Sequence, residues 1–100
     1  MPNSTPAYSG VSRAVREIAP GYDIDKVYLF GSYARNDQHD DSDVDLCLET
    51  GPSFSLFSAG GFADDLERVL GRSVDIVTED AVYAHVREGL IRDRVLLYER

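Results

Sequence analysis

The sequence predicts a small α/β domain: a mixed sheet of three to four strands, helices packed on one face, and a functional site on the opposite, open face. Three observations carry that prediction. Apolar residues recur at helical spacing in separate stretches, β-branched and aromatic runs lie between them, and one of those runs alternates acids with aliphatics. At 100 residues, 43% of them apolar, the chain is long enough to bury one core but not two.

Residues 1–8, with Pro2, Asn3, Ser4, Thr5 and Pro6, offer little to bury and are expected to form a lead-in, leaving 9–100 as a single domain. From Ser9 onward, Val11, Ala14, Val15, Ile18 and Ala19 fall at helical spacing, with Ser9 as the expected cap and Pro20-Gly21 as the stop. Lys26 to Phe30 is β-branched and aromatic, follows the polar turn Tyr22 to Asp25, and runs into Gly31-Ser32, so it reads as a strand ending at a glycine. Tyr33 to Asp37 fits a short helical segment before the polar stretch that ends at Ser42.

Asp43 to Glu49 is the second strand. Successive strand side chains point to opposite sides, so Val44, Leu46 and Leu48 form an apolar face while Asp43, Asp45, Cys47 and Glu49 look outward. Phe54, Phe57, Phe62, Leu66, Val69 and Leu70 mark a second helix and are expected in the core, with Gly60-Gly61 weakening its interior and Gly71 ending it. Ser73 to Thr78 is a third strand that carries Asp75. Ala81 to Asp93 reads as a helix and Val95 to Tyr98 as a short last strand.

The charge balance is acidic, with Asp+Glu 18 against Lys+Arg 10 and a net charge of -8. Such a surface repels phosphodiester backbones, which disfavours nucleic acid as the main direct partner unless bound divalent cations invert the local charge. No window approaches the ~18 uninterrupted apolar residues of a membrane span, and the start MPNSTPAYSG resembles no signal peptide, so a cytoplasmic location is expected. The single cysteine, Cys47, excludes an internal disulfide and a cysteine-rich zinc site.

Asp43 and Asp45 project from one strand face about 6 to 7 Å apart along the chain. Five aspartates fall between Asp37 and Asp45, and on the carboxylates alone a solvated acidic turn accounts for them as well as a site does. Gly31-Ser32 shifts the balance. A glycine at a strand end lets backbone approach a phosphate, a following helix start offers free N–H groups, and Ser32 adds a hydroxyl donor. Magnesium commonly takes one or two protein carboxylates and fills its other positions with water and substrate phosphates. Asp75, otherwise an acid at a strand edge, could supply the third carboxylate of a two-metal site. An EF-hand fails on its sixth position, Leu46, and its twelfth, Pro52.

Gly31-Ser32, ten residues, then Asp43-Val44-Asp45 is similar to the GS-x10-DxD signature of the DNA polymerase β-like nucleotidyltransferase superfamily, and the string LFGSYARNDQHDDSDVDLCLE resembles its minimal nucleotidyltransferase branch. The likeness extends through Val74-Asp75-Ile76-Val77 and covers about residues 9 to 98. It implies a polymerase β palm-like fold in which Asp43 and Asp45 hold two Mg2+ ions, Asp75 completes the site and orients the attacking hydroxyl, and Gly31 and Ser32 bind the triphosphate. Arg35 keeps the family's basic position, either as a phosphate ligand or as a surface arginine. Asn36 departs from the glycine many relatives carry there, though Asn tolerates left-handed backbone.

The resemblance further implies transfer of AMP from ATP to a tyrosine of a HEPN-type toxin, with the chain acting as its antitoxin in a hetero-oligomer. A second class of function stays open: a binding antitoxin or scaffold that neutralises its partner without catalysis. A third keeps the chemistry and changes the acceptor to a small molecule or an RNA end.

Overall fold

The first helix, α1, spans Ser9–Ile18 and closes in a 3-10 turn at Ala19–Gly21, where Pro20 supplies a fixed φ and no donor. Its cap is Tyr8, not the expected Ser9, and Tyr8 makes no side-chain capping bond; it packs against the core instead. Val11, Ala14 and Val15 form the buried stripe. The computed structural model describes residues 8–31, 43–78 and 94–100. The expected helical segment Tyr33 to Asp37, the expected helix Ala81 to Asp93 and most of the lead-in lie outside the described residues.

Four strands follow: β1 (Ile24–Phe30), β2 (Val44–Thr50), β3 (Val74–Thr78) and β4 (Val95–Glu99), in the spatial order β3-β2-β1-β4. The β1–β2 and β1–β4 pairs are antiparallel and the β2–β3 pair is parallel, so the sheet is mixed as expected. A parallel pair needs a crossover, and the second helix, α2 (Leu56–Leu70), provides it. β1 starts two residues earlier than its β-branched run, because Ile24 is fully buried and pairs with Thr50.

One face of the sheet presents Val27, Leu29, Val44, Leu46 and Leu48, all fully buried, to a single core cluster with α1 and with Phe62 and Leu66 of α2. The Tyr22 and Phe62 rings meet edge to face at 5.4 Å and 70°. A bulge in β4 inserts Leu97 between the Val27–Tyr98 and Tyr28–Leu96 pairs, and Leu97 sinks into the same core. Its carbonyl accepts from Arg16 Nε of α1 at 3.3 Å.

The expected core of α2 is only partly correct. Phe62 and Leu66 are buried and Phe54 and Leu70 pack against them, but Phe57 is 92% and Val69 63% exposed. The helix begins at Leu56, after the capping box of Ser55 and Ser58, which places Phe57 about 140° around the axis from Phe62 and away from the sheet. Val69 falls in the last turn of the helix. Gly71 ends the helix with φ 69°, as its type allows.

The two glycines inside α2 differ. A methyl group at Gly60 would meet open space, whereas one at Gly61 would lie 3.0 Å from Tyr22 Oη, which donates to Asp65 Oδ2 at 2.8 Å. Gly60→Ala is therefore expected to stabilise by about 0.5–1 kcal/mol through helix entropy, raising Tm by about 2–8 °C. Gly61→Ala should gain none of this. Thermal melts of the two variants check it, and equal gains would contradict the Tyr22 contact.

At one end of the sheet Asp23 accepts from Ser53 N (2.8 Å) and Ser53 Oγ (2.7 Å) and pairs with Arg100 Nη2 (2.7 Å), which also reaches Asp25 Oδ1 (2.6 Å). The guanidinium and then the Ser53 bonds hold the Asp23 carboxyl near a pKa of about 2. This network ties the start of β1, the turn after β2 and the end of β4 together, leaving the opposite end of the sheet for chemistry.

Candidate active site

At that opposite end lie the close of β1 and the starts of β2, β3 and β4, a consequence of the strand directions. Asp45 alternates with fully buried Val44 and Leu46, so its side chain stands on the face away from the helices. In register it lies between Phe30 of β1 and Asp75 of β3. Neighbouring strands are about 4.8 Å apart, which makes Asp45 and Asp75 side-by-side carboxylates. Asp43 precedes β2 by one residue and is exposed, as is Asp75, while Asp45 is half-buried. The Val44 amide donates to Ser73 O at 2.9 Å and pins the two strand starts together.

Gly31 follows Phe30 with φ 79°, a conformation that L side chains rarely adopt. A Cβ there would also sit 2.5 Å from Asp45 Oδ2, so backbone and carboxylate share a space that no side chain can enter. Gly31→Ala is expected to cost about 1–2 kcal/mol of stability for the left-handed backbone and to push the Asp45 carboxylate aside. Its activity should fall further than its stability, measured by urea unfolding beside label transfer from ATP. Full activity in Gly31→Ala would dissociate this turn from the site.

The structure thus brings together Gly31, Asp43, Asp45 and Asp75 at one end of the sheet face turned away from α1 and α2. Ser32 and Arg35, also expected at the site, lie outside the described residues. Among the described residues no three Asp, Glu, His or Cys side chains converge on a point that could hold a metal ion. The three carboxylates share a face and an end of the sheet without closing into a cage. Their oxygen donors nevertheless suit magnesium, which needs only one or two protein carboxylates beside substrate phosphate.

Two residues on this face were not singled out from the sequence. Phe30 is the register partner of Asp45, and Arg94, just before β4, sets its guanidinium carbon 4.1 Å from the centre of the Tyr28 ring. Tyr28 is buried, and that burial raises its pKa above the usual phenol value, so it stays a donor, to Glu49 Oε2 at 3.4 Å. Half-buried Cys47 lies between Tyr28 and Val77 in register, two residues along from Asp45. Nothing in the sequence pattern flags Arg94, because its face depends on the β4 pairing and bulge.

The family model of the nucleotidyltransferase domain matches residues 9–97 of the chain. The chain belongs to the nucleotidyltransferase family. A relative in Methanocaldococcus jannaschii, provisionally named a protein adenylyltransferase, is 34% identical over 86% of this chain and 87% of its own length. A solved structure provisionally named a minimal nucleotidyltransferase is 30% identical, with a TM-score of 0.75, covering 85% of this chain and 87% of that one. A crystal structure of a toxin-antitoxin with AMP-PNP has a TM-score of 0.72 at 21% identity, covering 94% of this chain and 74% of the other, and is a likeness of fold. The expected palm-like α/β architecture and the enzyme class of this nucleotidyltransferase are therefore correct. Among the described residues no helix is long and apolar enough to cross a membrane.

Proposed function

We propose that this nucleotidyltransferase moves AMP from ATP to a hydroxyl, a tyrosine in the first instance, of a HEPN-type toxin, and serves as that toxin's antitoxin in a cytoplasmic hetero-oligomer. The observation that carries the reading is the placement of Gly31, Asp45 and Asp75 at neighbouring positions of one sheet end, with Asp43 two residues from Asp45. The names of its relatives, a protein adenylyltransferase and a toxin-antitoxin pair bound to AMP-PNP, support the acceptor class and the nucleotide.

In this reading the Gly31 turn lets backbone approach the triphosphate, with the Ser32 hydroxyl and Arg35 as further phosphate donors. Asp43, Asp45 and Asp75 would hold two Mg2+ ions, which supply charge neutralisation at the phosphates when bound. Asp75 orients the acceptor hydroxyl. Its oxygen attacks the α-phosphorus, the bond to the β-phosphate oxygen breaks, and pyrophosphate leaves while the hydroxyl proton passes to a site carboxylate.

The test is transfer of label from α-labelled ATP, with magnesium, into the co-purified product of the neighbouring gene. Label in one protein band supports the reading. No label, with α-labelled CTP, GTP and UTP each also tried as donor, would replace it with the non-catalytic binding antitoxin.

A further inference from the structure

The sheet face turned away from α1 and α2 carries charge of both signs in an ordered arrangement. Tyr28 pairs with Leu96 across β1 and β4, and Leu29 with Val95, so extending that register by one residue sets Arg94, just before β4, beside Phe30, which pairs with Asp45, as Asp45 does with Asp75. Alternation from Leu96 puts Arg94 on the face of Asp45, and its stacking on Tyr28 agrees, because Tyr28 shares that face with Phe30. Two carboxylates thus occupy one side of the rung, an aromatic ring the middle and a guanidinium the other side.

We propose that Arg94 binds the phosphate chain of the nucleotide, on the side that departs as pyrophosphate, and that Tyr28 holds the guanidinium ready for it. This rests on the nucleotidyltransferase reading and extends it to a residue outside the motif. Three features support it. The guanidinium lies over Tyr28, whose diagonal neighbour across the β1–β2 pair is Asp45, a separation of about 7–8 Å between such positions. A phosphate chain beginning at the carboxylates can reach across that gap.

The planar fork of arginine donates to phosphate in pairs while its face remains stacked on an aromatic ring, so the Tyr28 contact leaves the N–H edge for the ligand. Tyr28 is itself fixed by burial and by its bond to Glu49, which removes freedom that binding would otherwise have to restrict. Lys26, the cation that β1 places on this face, lies four residues before Phe30 and is paired with Glu99 Oε2 at 3.6 Å. Among the described residues Arg94 makes no ion pair, and it is exposed.

The experiment is equilibrium titration of ATP and of AMP, each with magnesium and without acceptor, into the parent chain, Arg94→Ala, Arg94→Lys and the charge control Arg68→Ala. Arg68 sits on α2, where it pairs with Asp64 and Asp65 away from the open face. Loss of a charge-assisted contact predicts ATP binding about ten- to a hundredfold weaker in Arg94→Ala. AMP binding should change less than twofold, Arg94→Lys should fall between, and Arg68→Ala should match the parent. Pyrophosphate should compete against ATP less well on Arg94→Ala by a similar factor.

Equal ATP affinity in Arg94→Ala and the parent overturns this proposal alone. Equal losses for ATP and AMP also overturn it, since they place the effect at the nucleoside or the fold. A parent chain that binds no ATP overturns the catalytic reading together with it.

Discussion

Asp43→Asn with Asp45→Asn is expected to transfer no detectable label from α-labelled ATP, a loss of at least about 10³-fold, since removing even one preorganised electrostatic contact to a reacting group costs about 10²–10³. The substitutions keep shape and remove two negative charges from the end of the sheet where Gly31, Asp45 and Asp75 meet. Folding should not suffer. Asp45 lies directly beside Asp75 in the β2–β3 register, and like charges so placed destabilise a strand pair by about 0.2–1 kcal/mol. The double variant should therefore melt at or slightly above the temperature of the parent, and partner binding should persist, because partner docking does not require metal ligands. Calorimetry and co-purification beside the transfer assay make the comparison. Transfer at the parent's rate would remove these carboxylates from the mechanism. Neutralisation of the partner by the inactive variant as well as by the parent would favour the binding antitoxin.

Phe62→Ala should produce the largest loss of stability in the described core. Its ring is fully buried between α2 and the sheet, and it meets Tyr22 edge to face. Truncation removes the transfer energy of the ring and leaves a cavity, about 3–5 kcal/mol for a buried phenylalanine. For a domain whose total stability is about 5–15 kcal/mol this lowers Tm by on the order of 12–40 °C. Phe57→Ala, five positions earlier and 92% exposed, should stay within about 0.5 kcal/mol of the parent. Urea denaturation of both variants distinguishes them, and comparable losses would contradict the helix orientation described above. The site should fail along with the core in Phe62→Ala, because α2 is the crossover that sets β3, and hence Asp75, beside Asp45.

The same pair of phenylalanines marks where sequence reasoning stops. Spacing identified the helix that ends at Leu70 but included Phe54, which lies before it; which aromatics turn inward depends on where the first turn begins, and Ser55 with Ser58 starts it at Leu56. Ile24 makes a similar point at the sheet. The polar look of Tyr22 to Asp25 hid a strand residue that a partner strand, not its neighbours in sequence, draws into the core. Gly60-Gly61 reads as one weak spot in the chain, yet Tyr22 gives only Gly61 a contact to keep.

Of the candidate site, the placement of Gly31 and the three aspartates at one sheet end was legible because their signals are local. A glycine at a strand end and acids alternating with aliphatics both act over a few consecutive residues, where side-chain period alone decides which face each occupies. Composition likewise determined the acidic charge balance, and among the described residues no helix is long and apolar enough to cross a membrane. The sheet order β3-β2-β1-β4, the Asp45–Asp75 register and the rung that ends in Arg94 belong to the tertiary structure. These pairings join residues tens of positions apart and are chosen by which arrangement buries Val27, Leu29, Val44, Leu46 and Leu48 together under the two helices. That competition among burials involves the whole chain at once.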